Sequence, residues 1–513
     1  MKQRLADNFP HSPSLDIIQG GMGIRVSSPE LAGAVAHEKA TGIVSGTGIG
    51  NVLVRGLNEG DYDGEIRSAL ERYPRQEVVE RVMKEFYRPN GLEGKPYSRP
   101  APFDFDFDDP RFPKMAMPAD IAVLGAFVEV IRAKRYAGGR GNIGMNLLTE
   151  LEEPTIHTIY GAMQAGVDLI AMGAGIPKKI PGYLQELAEG RDVYFPIEVQ
   201  NAPSGTYKLH FDPSRYADPD QELEVPRFLA IITSDILARH FMKADPPKEG
   251  VRPHVPPDGF IIEEPIAGGH NAPPRNKKVF DEIGQPVYTE RDLANMERMQ
   301  ELGMPYWLAG GYGSHEGLLR AKSMGAVGVQ MGSVMALTKE SGLDPKIRNE
   351  MIRRIRAGEN IDVYTDSHIS PTGYPFKVAQ IEGTISDPEV YAARTRICDL
   401  GYLRKSFEID RIDRKTGEVV KKVIYRCPSE PEAAYVGKGG DIEATIGRGC
   451  LCNQLFAAHG MAQVHKGVKE PAVVTIGDSV SENVREIIRL NPNISEITAP
   501  IVIRTVRGQS VNS

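Results

Sequence analysis

The sequence predicts an α/β fold, a (β/α)8 barrel carrying insertions and a C-terminal extension. Three observations carry that prediction. Eight short apolar runs read as strands, helical patterns lie between many of them, and glycine-rich ends close six of the eight on what would be one rim. Most of the runs are continuously apolar and do not alternate, as expected of parallel strands buried on both faces. Strand followed by helix, repeated about eight times, is the pattern of a closed parallel barrel.

The runs are Asp16–Gln19, Gly42–Gly46, Ile143–Leu147, Asp168–Gly173, Phe228–Thr233, Gly259–Glu263, Tyr306–Gly310 and Gly328–Gly332. Ser28-Pro29 predicts an N-cap followed by proline in the first turn, opening a helix over Glu30–Ala40. Ile156–Ala165, Ile180–Ala188, Asp235–Lys243 and Ser314–Met324 show similar helical periodicity. A doubly wound nucleotide fold is the alternative, weakened because no Gly-x-Gly-x-x-Gly opens the first helix. Gly46-Thr47-Gly48-Ile49-Gly50 only approaches that pattern.

The barrel is expected to occupy residues 1–345, with insertions at about 52–118 and 197–226. The first holds a charged helix-like piece and the acidic-aromatic run Pro102–Asp109, read as a surface loop with anchoring phenylalanines. The second, rich in proline, aspartate and charge, reads as a loop or hairpin between the fourth and fifth strands. Residues 346–513 form the extension, expected to be mainly helical, with a turn-rich part near 412–440 and a cysteine-bearing segment.

At 513 residues the chain can bury a large core, and a barrel of roughly 250 residues counts as one domain. With 41% hydrophobic and 25% charged residues, the composition is that of an ordinary globular protein. A net charge of −7 supplies no general field for nucleic acid or an anionic membrane, so neither is expected as a partner. Met1–Asn8 lacks the apolar core of a signal peptide. The most apolar span, Ala119–Ile131, contains Asp120 and Glu129 and is shorter than the roughly 20 residues a membrane helix needs. A cytoplasmic location is the expectation. Cys398, Cys427, Cys450 and Cys452 lack paired Cys-x-x-Cys knuckles and read as reduced thiols, with no metal expected.

Chemistry in such a barrel sits at the C-terminal ends of the strands. Ala267-Gly268-Gly269-His270-Asn271 follows the sixth run. Its glycines let a planar ligand approach the backbone, and His270 is then placed to exchange a proton with it. Gly310-Gly311 and Gly332-Ser333, after the seventh and eighth runs, suit phosphate binding through backbone N–H groups, with the Ser333 hydroxyl as a further donor. His157, His240 and His315 lie in helix-like stretches and are expected at surface or capping positions. Glu263 and Glu264 form a carboxylate pair beside the site and are not expected to act as acid and base.

Ile18-Gln19-Gly20-Gly21-Met22-Gly23, Asn146, Ala267-Gly268-Gly269-His270, Leu308-Ala309-Gly310-Gly311 and Val329-Gln330-Met331-Gly332-Ser333 occur in that order. The set resembles the nitronate monooxygenase (2-nitropropane dioxygenase) family, whose pattern is shared by flavin-type enoyl-acyl carrier protein reductases. The resemblance covers about residues 14–50 and 140–340. Cys450-Leu451-Cys452-Asn453 is similar to the long-chain branch, which includes enoyl reductases of polyunsaturated fatty acid synthesis.

The resemblance implies an FMN-binding TIM barrel. Gly21 and Met22 would lie by the isoalloxazine ring, Asn146 would hydrogen-bond it, and Gly268 and Gly269 would let it approach. Gly310, Gly311, Gly332 and Ser333 would hold the phosphate, with His270 as the catalytic histidine. The family often has an acidic residue where this chain has Ile266. The activity implied is oxidation of alkyl nitronates by O2. The alternatives are an NAD(P)H-dependent enoyl-thioester reductase, which needs a long apolar groove, and a non-catalytic flavin-binding accessory protein of a synthase complex. The partners expected are a small-molecule substrate and O2, with homo-oligomerisation left open.

Overall fold

The structure, a computed structural model, describes residues 15–101, 103, 116–218, 221–244, 253–275, 279–413 and 416–509. Eight parallel strands close into a barrel: β1 Ile17–Gln19, β2 Thr41–Ser45, β3 Asn142–Leu148, β4 Leu169–Gly173, β5 Arg227–Ile232, β6 Gly259–Glu263, β7 Tyr306–Ala309 and β8 Gly328–Met331. Each overlaps one of the eight apolar runs. Each strand pairs with its neighbours in sequence, and β1 returns to β8 through Ile17 opposite Val329. That closure excludes a doubly wound sheet, which is open at both edges.

The barrel interior is filled by Ile18, Ile43, Leu169, Ala171, Leu229, Ile261, Trp307 and Ala309, with Leu15 at the base. Trp307 is fully buried, and its indole N–H donates to the Leu15 carbonyl. The barrel is therefore a packed core, and ligands are confined to its mouth. Gly328 is fixed by crowding, since a Cβ there would lie 1.9 Å from the Asp16 carbonyl oxygen.

The first outer helix, Pro29–His37, starts at the Ser28 cap, whose hydroxyl accepts from the Leu31 N–H at 3.1 Å. The helix expected over Ile156–Ala165 begins earlier, at Glu152, with Glu152 and Glu153 in its first turn where the helix dipole favours acids. Between β2 and β3 come helices Ile49–Asn58, Glu65–Leu70, Gln76–Phe86 and Ala116–Ala137. Of the acidic-aromatic run, Pro102 and residues 104–109 lie outside the described residues. No described helix is long and apolar enough to cross a membrane. The second insertion is a hairpin, Val193–Pro196 antiparallel to Lys208–Phe211.

The extension holds helices Pro345–Arg356, Pro388–Ala393, Glu432–Gly437, Leu451–Ala458, Val480–Leu490 and Ala499–Val506, together with antiparallel ribbons. One ribbon pairs Val363–Asp366 with Phe376–Ala379, and another pairs Lys405–Ile412 with Val419–Arg426. Val474, Ile476, Val480, Val484, Val502 and Val506 belong to the same hydrophobic core as barrel residues Val44, Met145 and Val329. Near the end of the chain, Arg507 meets Asp16, beside β1, at 2.7 Å. The extension thus wraps the barrel and returns to its first strand.

Candidate active site

Two adjoining cavities open at the C-terminal mouth of the barrel. The narrower is walled by Gly20–Gly23, Gly310, Gly311, Gly332 and Ser333, with Gly477 and Ser479 of the extension on the other side. The wider, about 360 Å³, is lined by Asn146, Leu148, Ile176, Ile231, Leu237, Phe376 and Leu455 around His270. Gly21, Glu263, Gly268, Gly269 and Gln330 line both, so the two form one continuous cleft. All ten residues expected at the site line it: Gly21, Met22, Asn146, Gly268, Gly269, His270, Gly310, Gly311, Gly332 and Ser333.

The Gly-Gly-His motif is clasped by two segments of the extension. On one side the Gly269 N–H donates to the Thr475 hydroxyl at 2.7 Å. On the other, Lys377 N–H donates to the Gly269 carbonyl at 2.9 Å and Asn271 N–H to the Pro375 carbonyl at 2.8 Å. The His270 ring sits edge-on to Phe376, centroids 4.7 Å apart, and its Nε2 lies 2.7 Å from the Ser370 hydroxyl. Lys377 bonds Asp478 at 2.6 Å and ties the two segments together.

The glycines divide by cause. Gly310 and Gly311 have φ of 95° and 75°, a left-handed backbone that disfavours side chains. Gly268 serves chain packing, because a Cβ there would come within 2.8 Å of the Ile476 backbone carbon and 3.0 Å of the Gly477 nitrogen. Gly21 is likewise crowded, by Asn146. Around Gly269 there is open space, and a Cβ at Gly332 would meet only Met22. Free approach to the backbone thus belongs to Gly269 and Gly332, not to all the glycines of the motifs.

Burial lowers the His270 pKa to about 4, so the imidazole is neutral at pH 7. Burial also pushes the Glu263 carboxyl up to about 7. Glu264 faces away, accepting the Tyr312 hydroxyl at 2.6 Å. Of that carboxylate pair, Glu263 alone reaches the cleft. The Oδ1 of Asn146 and the Oε1 of Gln330 are buried without a hydrogen-bond partner. Such atoms are costly unless something donates to them.

These features fit a flavin nucleotide. The two orphaned amide oxygens suit the N–H edge of a planar heterocycle, and the glycine-walled cleft beyond β7 and β8 suits a phosphate. The Ser333 Oγ accepts the Gly477 N–H at 2.6 Å, which leaves its own proton free to donate. Residues 374–376, 455 and 475–479 were not anticipated at the site. Leu455 lies in the helix Leu451–Ala458, and the others lie in turns and ribbons of the extension that carry no motif. His157 differs from expectation in being buried, with its ring 5.0 Å from that of Phe211.

No family model matches the chain, and no curated relative does either. Three of the solved structures similar to it are as follows. FabK from Thermotoga maritima has 16% identity, covering 98% of this chain and 94% of that one, with a TM-score of 0.44. Nitroalkane oxidase from Streptomyces ansochromogenes has 13% identity, with coverage of 98% and 96% and a TM-score of 0.43. The enoyl reductase domain of MlnA from the macrolactin biosynthesis cluster of Bacillus amyloliquefaciens has 12% identity, with coverage of 98% and 95% and a TM-score of 0.47.

Proposed function

We propose that this chain is an FMN-dependent oxidoreductase and that its substrate is an enoyl thioester, reduced at the expense of NAD(P)H. The observation that supports this reading is the wider cavity, whose wall of Leu148, Ile176, Ile231, Ile232, Leu237, Phe376 and Leu455 matches an acyl chain. Its carboxyl and imidazole members among the described residues are Glu263 and His270, beside the phenol of Tyr374. The Glu263 carboxyl would repel an anionic nitronate once ionised, and the neutral His270 offers no charge to offset one.

Gly310, Gly311, Gly332 and Ser333 would hold the FMN phosphate, while Asn146 and Gln330 would accept from the ring and Gly21, Met22, Gly268 and Gly269 would border it. Bound FMN supplies hydride transfer. His270, neutral and fixed by Ser370, orients the thioester carbonyl by hydrogen bonding and does not deliver a proton as imidazolium. Glu263 titrates near neutrality and is the group in the wall able to hold a proton for the substrate α-carbon. With an acyl substrate seated, the apolar wall and the extension would exclude water from the reacting atoms.

Oxidation of nitronates by O2 is the second reading, and one observation favours it. A neutral imidazole has the free lone pair needed to take a proton from an uncharged nitroalkane. Anaerobic stopped-flow spectroscopy of the flavin-loaded protein separates the two. Bleaching by NADH or NADPH, with recovery on adding a medium-chain enoyl thioester, is the expected result. Bleaching by a nitronate or nitroalkane with none by the nicotinamides would replace the first reading by the second. A protein that takes up no FMN would overturn both.

A further inference from the structure

Residues 474–478 of the extension cross the mouth of the barrel and are pinned at both ends. The Ala379 N–H donates to the Val474 carbonyl at 2.8 Å, and the Asp478 N–H donates to the Ile266 carbonyl at 3.1 Å. Between these points successive residues alternate. Val474 and Ile476 are buried in the hydrophobic core, while Thr475 and Gly477 line the cleft. An extended chain sends successive side chains to opposite faces, so burying Val474 and Ile476 aims Thr475 at the cleft.

The barrel and this stretch exchange hydrogen bonds at two points. The Gly269 N–H, after β6, donates to the Thr475 hydroxyl at 2.7 Å, and the Gly477 N–H donates to the Ser333 hydroxyl, after β8, at 2.6 Å. Each hydroxyl oxygen is thus used as an acceptor, which leaves its one proton to be given elsewhere. Ser45, which also lines the wider cavity, shows the contrast, because its proton is already spent on the Gly23 carbonyl at 2.6 Å. The Thr475 proton has no acceptor among the described residues.

That proton sits where the two cavities join. Thr475 lines both of them, as do Glu263 and Gln330, and among the described residues common to the two it carries the one hydroxyl. Gln330 brings an orphaned acceptor to the same junction, and Asn146 brings another to the wider cavity. Gly269, bonded to Thr475, has open space where a side chain would stand. The junction therefore offers acceptors and, from Thr475, a donor around an open glycine. A ring edge on which an N–H stands beside carbonyl groups, as in a flavin, complements that set. A ligand that displaced water from the Thr475 hydroxyl without accepting from it would leave a buried donor unpaired, at a cost.

We propose that the Thr475 hydroxyl donates to a ring carbonyl of the bound flavin, so that the extension supplies part of the cofactor site. The inference rests on the FMN reading and adds to it a residue outside the barrel. A donor at a ring carbonyl favours the electron-rich reduced ring over the oxidised one.

The test compares the full-length wild type with Thr475→Val, which keeps the shape and removes the hydroxyl, and with Thr475→Ser, which keeps the hydroxyl. FMN is titrated into each flavin-stripped protein, and the carbonyl bands of the bound flavin are read by infrared difference spectroscopy. Thr475→Val should raise the FMN Kd about fivefold, the scale of one hydrogen bond. It should also move a carbonyl band to higher frequency and lower the flavin midpoint potential, and Thr475→Ser should keep all three at wild-type values. Loss of the Gly269 bond alone would weaken binding without moving the band, and that result would overturn the proposal, as would a valine variant indistinguishable from wild type. Thr475→Ala gives the same readouts should the valine variant fail to fold. Wild type that takes up no FMN would overturn the FMN reading and this inference together. Wild type that binds FMN, with the band unmoved in the variants, would overturn this inference alone.

Discussion

The imidazole of His270 is held from outside the barrel, by the hydroxyl of Ser370 at 2.7 Å, a hundred positions further along the chain. Ser370 is itself anchored, with its Oγ 2.7 Å from the Thr372 hydroxyl and accepting the Thr372 N–H at 3.3 Å. Removing the serine hydroxyl frees the ring to rotate and leaves flavin contacts alone. One hydrogen bond of about 1 kcal/mol corresponds to roughly a fivefold loss in turnover. Ser370→Ala should show that loss at unchanged flavin content, and Ser370→Thr should restore most of it. His270→Ala should cost about 100-fold. If Ser370→Ala matched wild type across the pH profile, Ser370 would not position the histidine.

Glu263 carries a pH signature of its own. Its folded-state pKa of about 7 lies above the ordinary 4.5, because burial disfavours the charged form. Between those values the folded chain keeps a proton that the unfolded chain has released. The associated stability is full below about 4.5 and is lost as pH rises through about 7. Glu263→Gln cannot ionise, so at pH 8 it should be more stable than wild type by about 2 kcal/mol, discounted because the carboxyl faces a wet cleft. Thermal melts at pH 5 and pH 8 check this. The variant should also lose any kcat/KM inflection near pH 7.

The barrel was legible because its strands are buried on both faces and most therefore read as uninterrupted apolar runs such as Gly259–Glu263, six of the eight ending in a glycine-rich rim. The rim residues followed from the barrel geometry. The far wall did not, since Phe376, Thr475 and Gly477 belong to irregular segments with no period to read. Glu263 was passed over because sequence does not say which member of an adjacent carboxylate pair faces inward. The glycine at 268 was assigned to ligand approach, when its neighbour is the chain's own backbone at Ile476.

Gly268 yields a third prediction. Its missing Cβ accommodates the backbone of Ile476 and Gly477, which cannot yield as a flexible side chain would. Gly268→Ala should push the 475–477 segment off the rim, breaking the Gly269–Thr475 bond and costing about 1–3 kcal/mol of stability. Because Gly477 also meets Ser333, flavin retention on gel filtration should fall with it. A variant with wild-type melting temperature and flavin content would refute the packing role. Gly269→Ala meets open space but at a φ of 89°, so its effect should come from backbone strain alone.

The chain should also be acid-labile through histidines remote from the cleft. Burial takes His157 and His459 down to about 3, well below the ordinary 6.5. The cause is physical in each case. His157 is packed against Phe103 and Phe211, and its Nδ1 has no partner. His459 has its Nδ1 at the Gly342 carbonyl and its Nε2 3.0 Å from the Arg25 guanidinium, which can donate only to an unprotonated ring. A depressed histidine pKa means the unfolded chain binds the extra proton first, so stability is full above about 6.5 and declines as pH falls toward 3. At pH 4.5 each histidine should cost about 2–3 kcal/mol. His157→Phe removes one of the two titrations while keeping an aromatic ring against Phe211. Its melting temperature should therefore fall less between pH 7 and pH 4.5 than that of wild type, and equal falls would show that His157 does not drive the acid transition.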